Sequence, residues 1–158
     1  MPRADRLSPR GVQLLQEQHL AVLSTIMPDG SPQATPVWVD VEPDGSHVLV
    51  NTVEGHLKQR NVARDPRVAV TVVDGQNHFR TVVVRGIVVE QRGHEQGAHD
   101  HINFLTKKYT GRERYALRKG ERRVLLRIKP THVVETGVAD EARWRAGTSG
   151  ETGGGPNG

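Results

Sequence analysis

The sequence predicts a mainly β domain, a six-stranded antiparallel barrel with peripheral helices. Three observations carry this. The core must be aliphatic, because hydrophobic residues make up 35% of the 158 residues and aromatics only 4%, and Val, Ile and Thr suit pleated, half-buried surfaces. Two Pro-Asp-Gly turns, at 28–30 and 43–45, separate β-branched runs, which is hairpin chemistry and implies an antiparallel meander. The apolar runs are short and recur along the chain, as in a small closed barrel.

Each element has a local reason. Residues 8–19, SPRGVQLLQEQH, predict a short helix with Ser8 as N-cap, Pro9 at the first helical position, and Leu14 and Leu15 as its apolar contact. LAVLSTIM (20–27) is the first strand and PQATPVWVDVE (32–42) the second. SHVLVNT (46–52) is the third, after the second Pro-Asp-Gly. A basic segment then crosses over as a helix and ends before Pro66. RVAVTVVDG (67–75) is the fourth strand and FRTVVVRGIVVEQRG (79–93) the fifth, with a bulge or bend expected at Gly86. Residues 94–118 read as helical with a break near Thr110-Gly111, and RRVLLRIKPTHVVET (122–136) is the sixth strand, with Pro130 marking a bend or an edge. The domain is therefore expected over 1–137, followed by a flexible Gly-rich tail over 138–158.

Composition narrows the function classes. Absence of cysteine removes disulfides, thiolate metal sites and a Cys nucleophile. No apolar run approaches the roughly 20 residues of a membrane span, and the N-terminal MPRADRLSPRG lacks an apolar signal region. A soluble, cytoplasmic protein without a membrane partner is expected. Net charge is +4, but the base-stacking aromatics of an RNA or single-strand binder are scarce, so no nucleic-acid partner is expected.

The informative stretch is NTVEGHLKQRNVARDPRVAV, residues 51–70. On a helix at about 100° per residue, with Leu57 at zero, Asn61 falls near 40°, Lys58 near 100° and Val62 near 140°. Lys58 thus lies between apolar neighbours with Asn61 on the same face, the position of an ammonium that runs along apolar surface to meet an anion. Arg60 and Arg64, near 300° and 340°, share a different stripe. Thr52 ends a strand just before a Gly-containing turn and a helix start, where free backbone N–H groups attract phosphate. The other reading of this helix is a solvated, charged crossover.

Other chemistry has less support. His94, His99 and His101 sit near Glu95 and Asp100, but His99 lies well off the face that His94 and His101 would share on a helix; no metal site is assigned. There is no G-x-S-x-G elbow, dinucleotide fingerprint or P-loop. No catalytic residue is assigned; Tyr109 and His78 have proton-donor chemistry, with a structural role as the alternative for each.

The stretches LAVLSTIMPDGSPQATPVWVDVE, VNTVEGHLKQRNVARDPRVAV, VRGIVVE, KKYTG and RRVLLRIKPTHVVE, in this order over about 12–136, resemble the flavin-binding split β-barrels related to pyridoxamine 5′-phosphate oxidase. More narrowly they resemble the actinobacterial branch that uses the deazaflavin coenzyme F420. The resemblance implies the FMN-binding split-barrel fold and a homodimer with cofactor sites at the subunit interface. It implies that the tricyclic ring lies over Gln33 to Trp38, including Thr35, Pro36 and Val37, and that Thr52, Lys58, Arg60 and Asn61 hold the phosphate. The partner's loop around Gln76-Asn77-His78 would close over the cofactor, which makes Asn77 a further binding residue. The C-terminal Trp-Arg motif of the vitamin B6 enzyme has no clear counterpart, since Arg143-Trp144-Arg145 lies in a Gly-rich context. The implied activity is hydride transfer between reduced F420 and an unsaturated small molecule. The alternatives are an FMN oxidoreductase on the same fold, or a non-catalytic flavin, F420 or haem carrier. Arg60, Arg64 and the mild positive charge suit the carboxylate tail of F420.

Overall fold

The computed structural model describes residues 5–138. Seven strands form one antiparallel sheet: β1 (Ala21–Ile26), β2 (Pro32–Val37), β3 (Asp40–Val41), β4 (Val48–Val53), β5 (Arg67–Val73), β6 (Thr81–Arg92) and β7 (Arg123–Thr136). Three helices accompany it: α1 (Pro9–Gln16), α2 (Leu57–Arg64) and α3 (Ala98–Thr110). The sheet order is β2-β1-β5-β6-β7-β4-β3. The architecture is the expected mainly β one, curled in the manner of a split barrel, with seven strands in place of six.

The curl follows from connectivity. β2 and β3 occupy opposite ends of the sheet order, yet only Trp38 and Val39 separate them in the chain. A flat sheet of this order would hold them about 29 Å apart, whereas the linking residues can span only about 11 Å. The sheet must therefore bend until its edges approach at this corner. The meander inferred from the two Pro-Asp-Gly turns is accordingly two separate hairpins, β1–β2 and β3–β4, at opposite edges.

The extra strand arises because the expected 32–42 run breaks at Trp38-Val39. There α3 takes over the hydrogen bonding that a ladder would provide. The Val39 carbonyl accepts from Lys108 Nζ at 2.6 Å, and its amide donates to Tyr109 Oη at 3.2 Å. Trp38 stacks on Tyr109 with ring centroids 5.2 Å apart. Lys108 also donates to the Leu15 carbonyl at the end of α1. The KKYTG stretch is thus the clamp that seals the barrel corner.

Two further expectations are revised. The helix expected over 94–118 is a 3₁₀ turn, His94–Gln96, followed by α3, which stops at Thr110, at the expected break, because Gly111 takes a left-handed φ of 78°, and does not resume. Residues 111–122 are irregular and rim the site described below. The first helix is shorter than 8–19, but Ser8 caps it as expected, its Oγ accepting from the Gly11 amide.

The bulge at Gly86 is present. Gly86 pairs with Pro130 and Arg85 with His132, so Thr131 is the extra residue. A Cβ at Gly86 would lie 2.5 Å from the Lys129 carbonyl oxygen. Pro130 is tolerated because β7 pairs with β4 only as far as Ile128, leaving Pro130 without a ladder partner on that side. The core inside the curl is Val, Leu and Ile from all the long strands, including Leu23, Val50, Val70, Val82 and Leu126. A smaller cluster of Leu49, Ala98 and Leu125 seats α3 against β4 and β7. No helix among the described residues is long and apolar enough to cross a membrane. Val138, the first residue of the expected tail, is instead 1% exposed and packs in the core; residues 139–158, with Arg143, Trp144 and Arg145, lie outside the described residues.

Candidate functional site

A cleft of about 480 Å³ opens where β4, β7 and the start of α2 meet the end of β2. Pro36 and Val37 form one wall, and Asn51, Thr52 and Val53 line the base from β4. Lys58 enters from α2 and Arg123 from β7. The 111–122 segment contributes Tyr115, Arg118, Lys119, Gly120 and Glu121. Four of these side chains are permanently cationic or lysine ammonium groups, against one carboxylate. Such a cleft concentrates anions.

Lys58 is half-buried. Burial, and then the charge of Arg123, lower its pKa from the usual 10.5. Beside it, Thr52 is only 2% exposed and its Oγ1 has no hydrogen-bond partner. A buried hydroxyl left without a partner costs on the order of 1–3 kcal/mol, so a ligand oxygen in the cleft would relieve a real deficit. The start of α2 is also open: His56, its N-cap, makes no side-chain capping bond, which leaves first-turn amides for an anion. These features fit a phosphate-bearing cofactor at Thr52 and Lys58.

Arg123 was not singled out in the sequence. It is 7% exposed, donates through Nε to Asn51 Oδ1 at 2.8 Å, and donates through Nη1 to Glu121 Oε1 at 2.7 Å. Its guanidinium carbon sits 4.9 Å from the centre of the Tyr115 ring. Burial works to raise the Glu121 pKa, but bonds from the Arg118 amide and from Arg123 outweigh it, and the carboxyl is held below its ordinary value. The available signal was position: Arg123 begins a strand whose next three residues, Val124 to Leu126, are apolar, so it lies at the boundary of a buried run.

The expected site residues do not all converge. Pro36, Val37, Thr52 and Lys58 line the cleft together. Thr35 is on β2 but outside the lining, with Oγ1 accepting from Gln33 Nε2. Asn61 is buried beneath α2, where Nδ2 donates to Thr25 Oγ1 at 3.0 Å and to the Met27 sulfur. Arg60 is exposed on α2 and is not part of the cleft lining. Arg64 is not merely solvated: it donates to Asn61 Oδ1 and to the Ile26 carbonyl, tying α2 to β1. Asn77 lies in the β5–β6 loop, outside this cleft, with Oδ1 accepting from the Phe79 amide.

The remaining candidates are also placed. Tyr109 Oη donates to the His19 carbonyl at 2.6 Å and accepts from Val39, a structural commitment. His78 is exposed on the β5–β6 loop. His94 stacks on His99, while His101 bonds to Asn51 and Asp40, so the three histidines are divided between tasks. Elsewhere Glu17, His19 and Asp74 bring ligand-type atoms within 4.8 Å of one another, but Arg80 already donates to both carboxylates.

The chain is 29% identical over 135 residues to an F420H2-dependent biliverdin reductase of Mycobacterium tuberculosis, covering 85% of this chain and 90% of that one. A solved structure named F420 reductase superposes with a TM-score of 0.68 at 28% identity, over 77% of this chain and 94% of the other. General stress protein 26 of Bacillus anthracis shares the fold, with a TM-score of 0.57 at 20% identity over 82% of this chain and 92% of its own. The family model described as pyridoxamine 5′-phosphate oxidase matches residues 7–137, nearly the whole of the described fold, and the chain belongs to that family.

Proposed function

We propose that the protein is a reductase that uses coenzyme F420 to deliver hydride to an unsaturated small molecule. The observation that carries this reading is the unpartnered, buried Thr52 hydroxyl next to the half-buried Lys58 in a cation-lined cleft. Lys58 and Thr52 bind the cofactor phosphate, the first as a charge-assisted donor and the second as a neutral one. Arg118 and Lys119, beyond them on the rim, suit the carboxylates of the F420 tail. They replace Arg60 and Arg64 in that role, because Arg60 lies outside the cleft and Arg64 is tied to β1. Pro36 and Val37 supply an apolar wall for the ring and contribute no acid or base. When bound, reduced F420 supplies hydride from C5.

The names of the two F420-linked relatives support this choice over FMN. A conjugated tetrapyrrole is the substrate class suggested by the first of them. We further propose a homodimer in which the β5–β6 loop, with Asn77, covers the cleft of a second copy, since that loop does not line its own. Fluorescence titration of the purified protein with F420 and with FMN tests the cofactor. Tighter binding of F420 is expected; tighter binding of FMN would sink the reading. Turnover of a panel of enones, quinones and tetrapyrroles with reduced F420 then identifies the acceptor class.

A further inference from the structure

We infer that Arg123 is a second cationic donor of the anion site, and that Asn51, His101 and Asp40 are positioning residues that aim its guanidinium. This rests on the reading of Thr52 and Lys58 as the phosphate anchor.

Arg123 is directly opposite Val53 in the β4–β7 ladder, and Thr52 is opposite Val124. Successive residues of a strand face opposite sides, so Arg123 shares its face with Asn51 and Leu125 while Thr52 points to the other, and it is Lys58 whose charge Arg123 meets in the cleft that both line. A buried guanidinium needs partners for its donors. Nε is taken by Asn51 and Nη1 by Glu121. No partner of Nη2 is found among the described residues, and Arg123 lines the cleft.

Behind Arg123 runs a chain of polar contacts from three different elements, β4, α3 and β3. Asn51 Nδ2 donates to the Ala98 carbonyl at 2.9 Å, which turns Oδ1 towards Arg123. The same Nδ2 lies 3.2 Å from His101 Nδ1, and His101 Nε2 lies 3.0 Å from Asp40 Oδ2. With Nδ1 accepting from Asn51, the Nε2 proton of His101 goes to Asp40, and every link has a defined direction. Asn51, His101 and Asp40 are each buried or nearly so.

A salt bridge with Glu121 alone would neutralise Arg123 without this scaffold. The arginine is instead held where its charge acts on Lys58 and lowers the lysine pKa. Two cations converging on one cleft repel each other until an anion sits between them. Planar guanidinium donors suit phosphate oxygens, which accept them in a fork.

The test compares F420 with its phosphate-free ribityl deazaflavin chromophore, by fluorescence titration of the full-length protein. The ratio of the two affinities reads the phosphate contact and leaves ring binding aside. In the double variant Arg123→Gln/Glu121→Gln, compared with Glu121→Gln alone, the ratio is expected to fall at least tenfold while chromophore affinity is unchanged. The paired glutamines avoid leaving an unmatched buried carboxylate. Arg123→Lys, which keeps the charge but not the fork, is the second variant, with a several-fold loss expected. Asn51→Leu is expected to lower the ratio in the same direction, and Asn51→Asp, which restores an acceptor for Nε, to recover part of it. An unchanged ratio in the double variant or in Arg123→Lys overturns the inference. Lys58→Ala separates the two readings. If it alone lowers the ratio, the phosphate anchor stands and the role of Arg123 falls; if no variant lowers it, both fall.

Discussion

Lys58 on α2 and Arg123 on β7 face the same cleft, and the charge of Arg123, added to burial, holds the Lys58 ammonium below its usual pKa. Glu121, the one acid of the lining, is bonded to Arg123, and Lys58 has no ion pair among the described residues. An anion that enters gains two cations whose mutual repulsion it relieves.

Replacing Lys58 with Ala is expected to weaken binding of a phosphate-bearing cofactor by about 1–3 kcal/mol, the worth of one charge-assisted contact. The thermal midpoint should change little, since Lys58 makes no hydrogen bond that the fold depends on. Ligand titration beside a melting curve separates the two effects.

The same lysine predicts an alkaline limb. The bound anion favours the charged ammonium, so affinity holds while Lys58 is protonated and declines as pH rises through its pKa, which lies below 10.5 in the free protein. Titration of the cofactor between pH 7 and pH 10 checks this, and Lys58→Ala should flatten that limb.

Asn61 is expected to behave in the opposite way to Lys58. It is 1% exposed and committed to Thr25, Met27 and Arg64. Asn61→Leu leaves the Arg64 guanidinium without one acceptor and Thr25 without a donor, at a cost of about 1–3 kcal/mol in stability. Cofactor affinity should be retained. Urea denaturation gives the first quantity; a large loss of affinity in a stable Asn61→Leu protein would return Asn61 to the binding site.

Lys108 carries a stability signature. Burial lowers its pKa from 10.5 to about 8. Between these values the unfolded chain binds more protons than the folded one, so stability rises with pH over that window. Lys108→Met should abolish this rise in the melting temperature between pH 8 and pH 10.5. It should also lower stability throughout, because the Leu15 and Val39 carbonyls lose their donor.

Gly86→Ala tests the bulge. The new Cβ would sit 2.5 Å from the Lys129 carbonyl, and backbone cannot yield as a flexible side chain would. A loss of about 1–3 kcal/mol is expected, read by chemical denaturation. A neutral effect would show that the β6–β7 register can slide.

Local chemistry determined a good deal by itself. Alternating Val, Thr and Ile runs, two Pro-Asp-Gly turns, the glycine in a long strand and the Ser8-Pro9 pair specify elements whose causes lie within a few residues, and these are present. Lys58 was legible for the same reason, since a helical face is a local property. Tertiary structure decided the rest. The second strand breaks because Lys108 and Tyr109, distant in sequence, claim the backbone of Val39. Asn61 lies near Lys58 on the helix wheel, yet it packs inward because Thr25 waits beneath it. Arg123 reaches Asn51 and shares the cleft with Lys58 only because β7 pairs with β4, a contact between remote segments that periodicity cannot encode. The sequence thus named Lys58, and the pairing of β7 with β4 brought Arg123 to the same cleft.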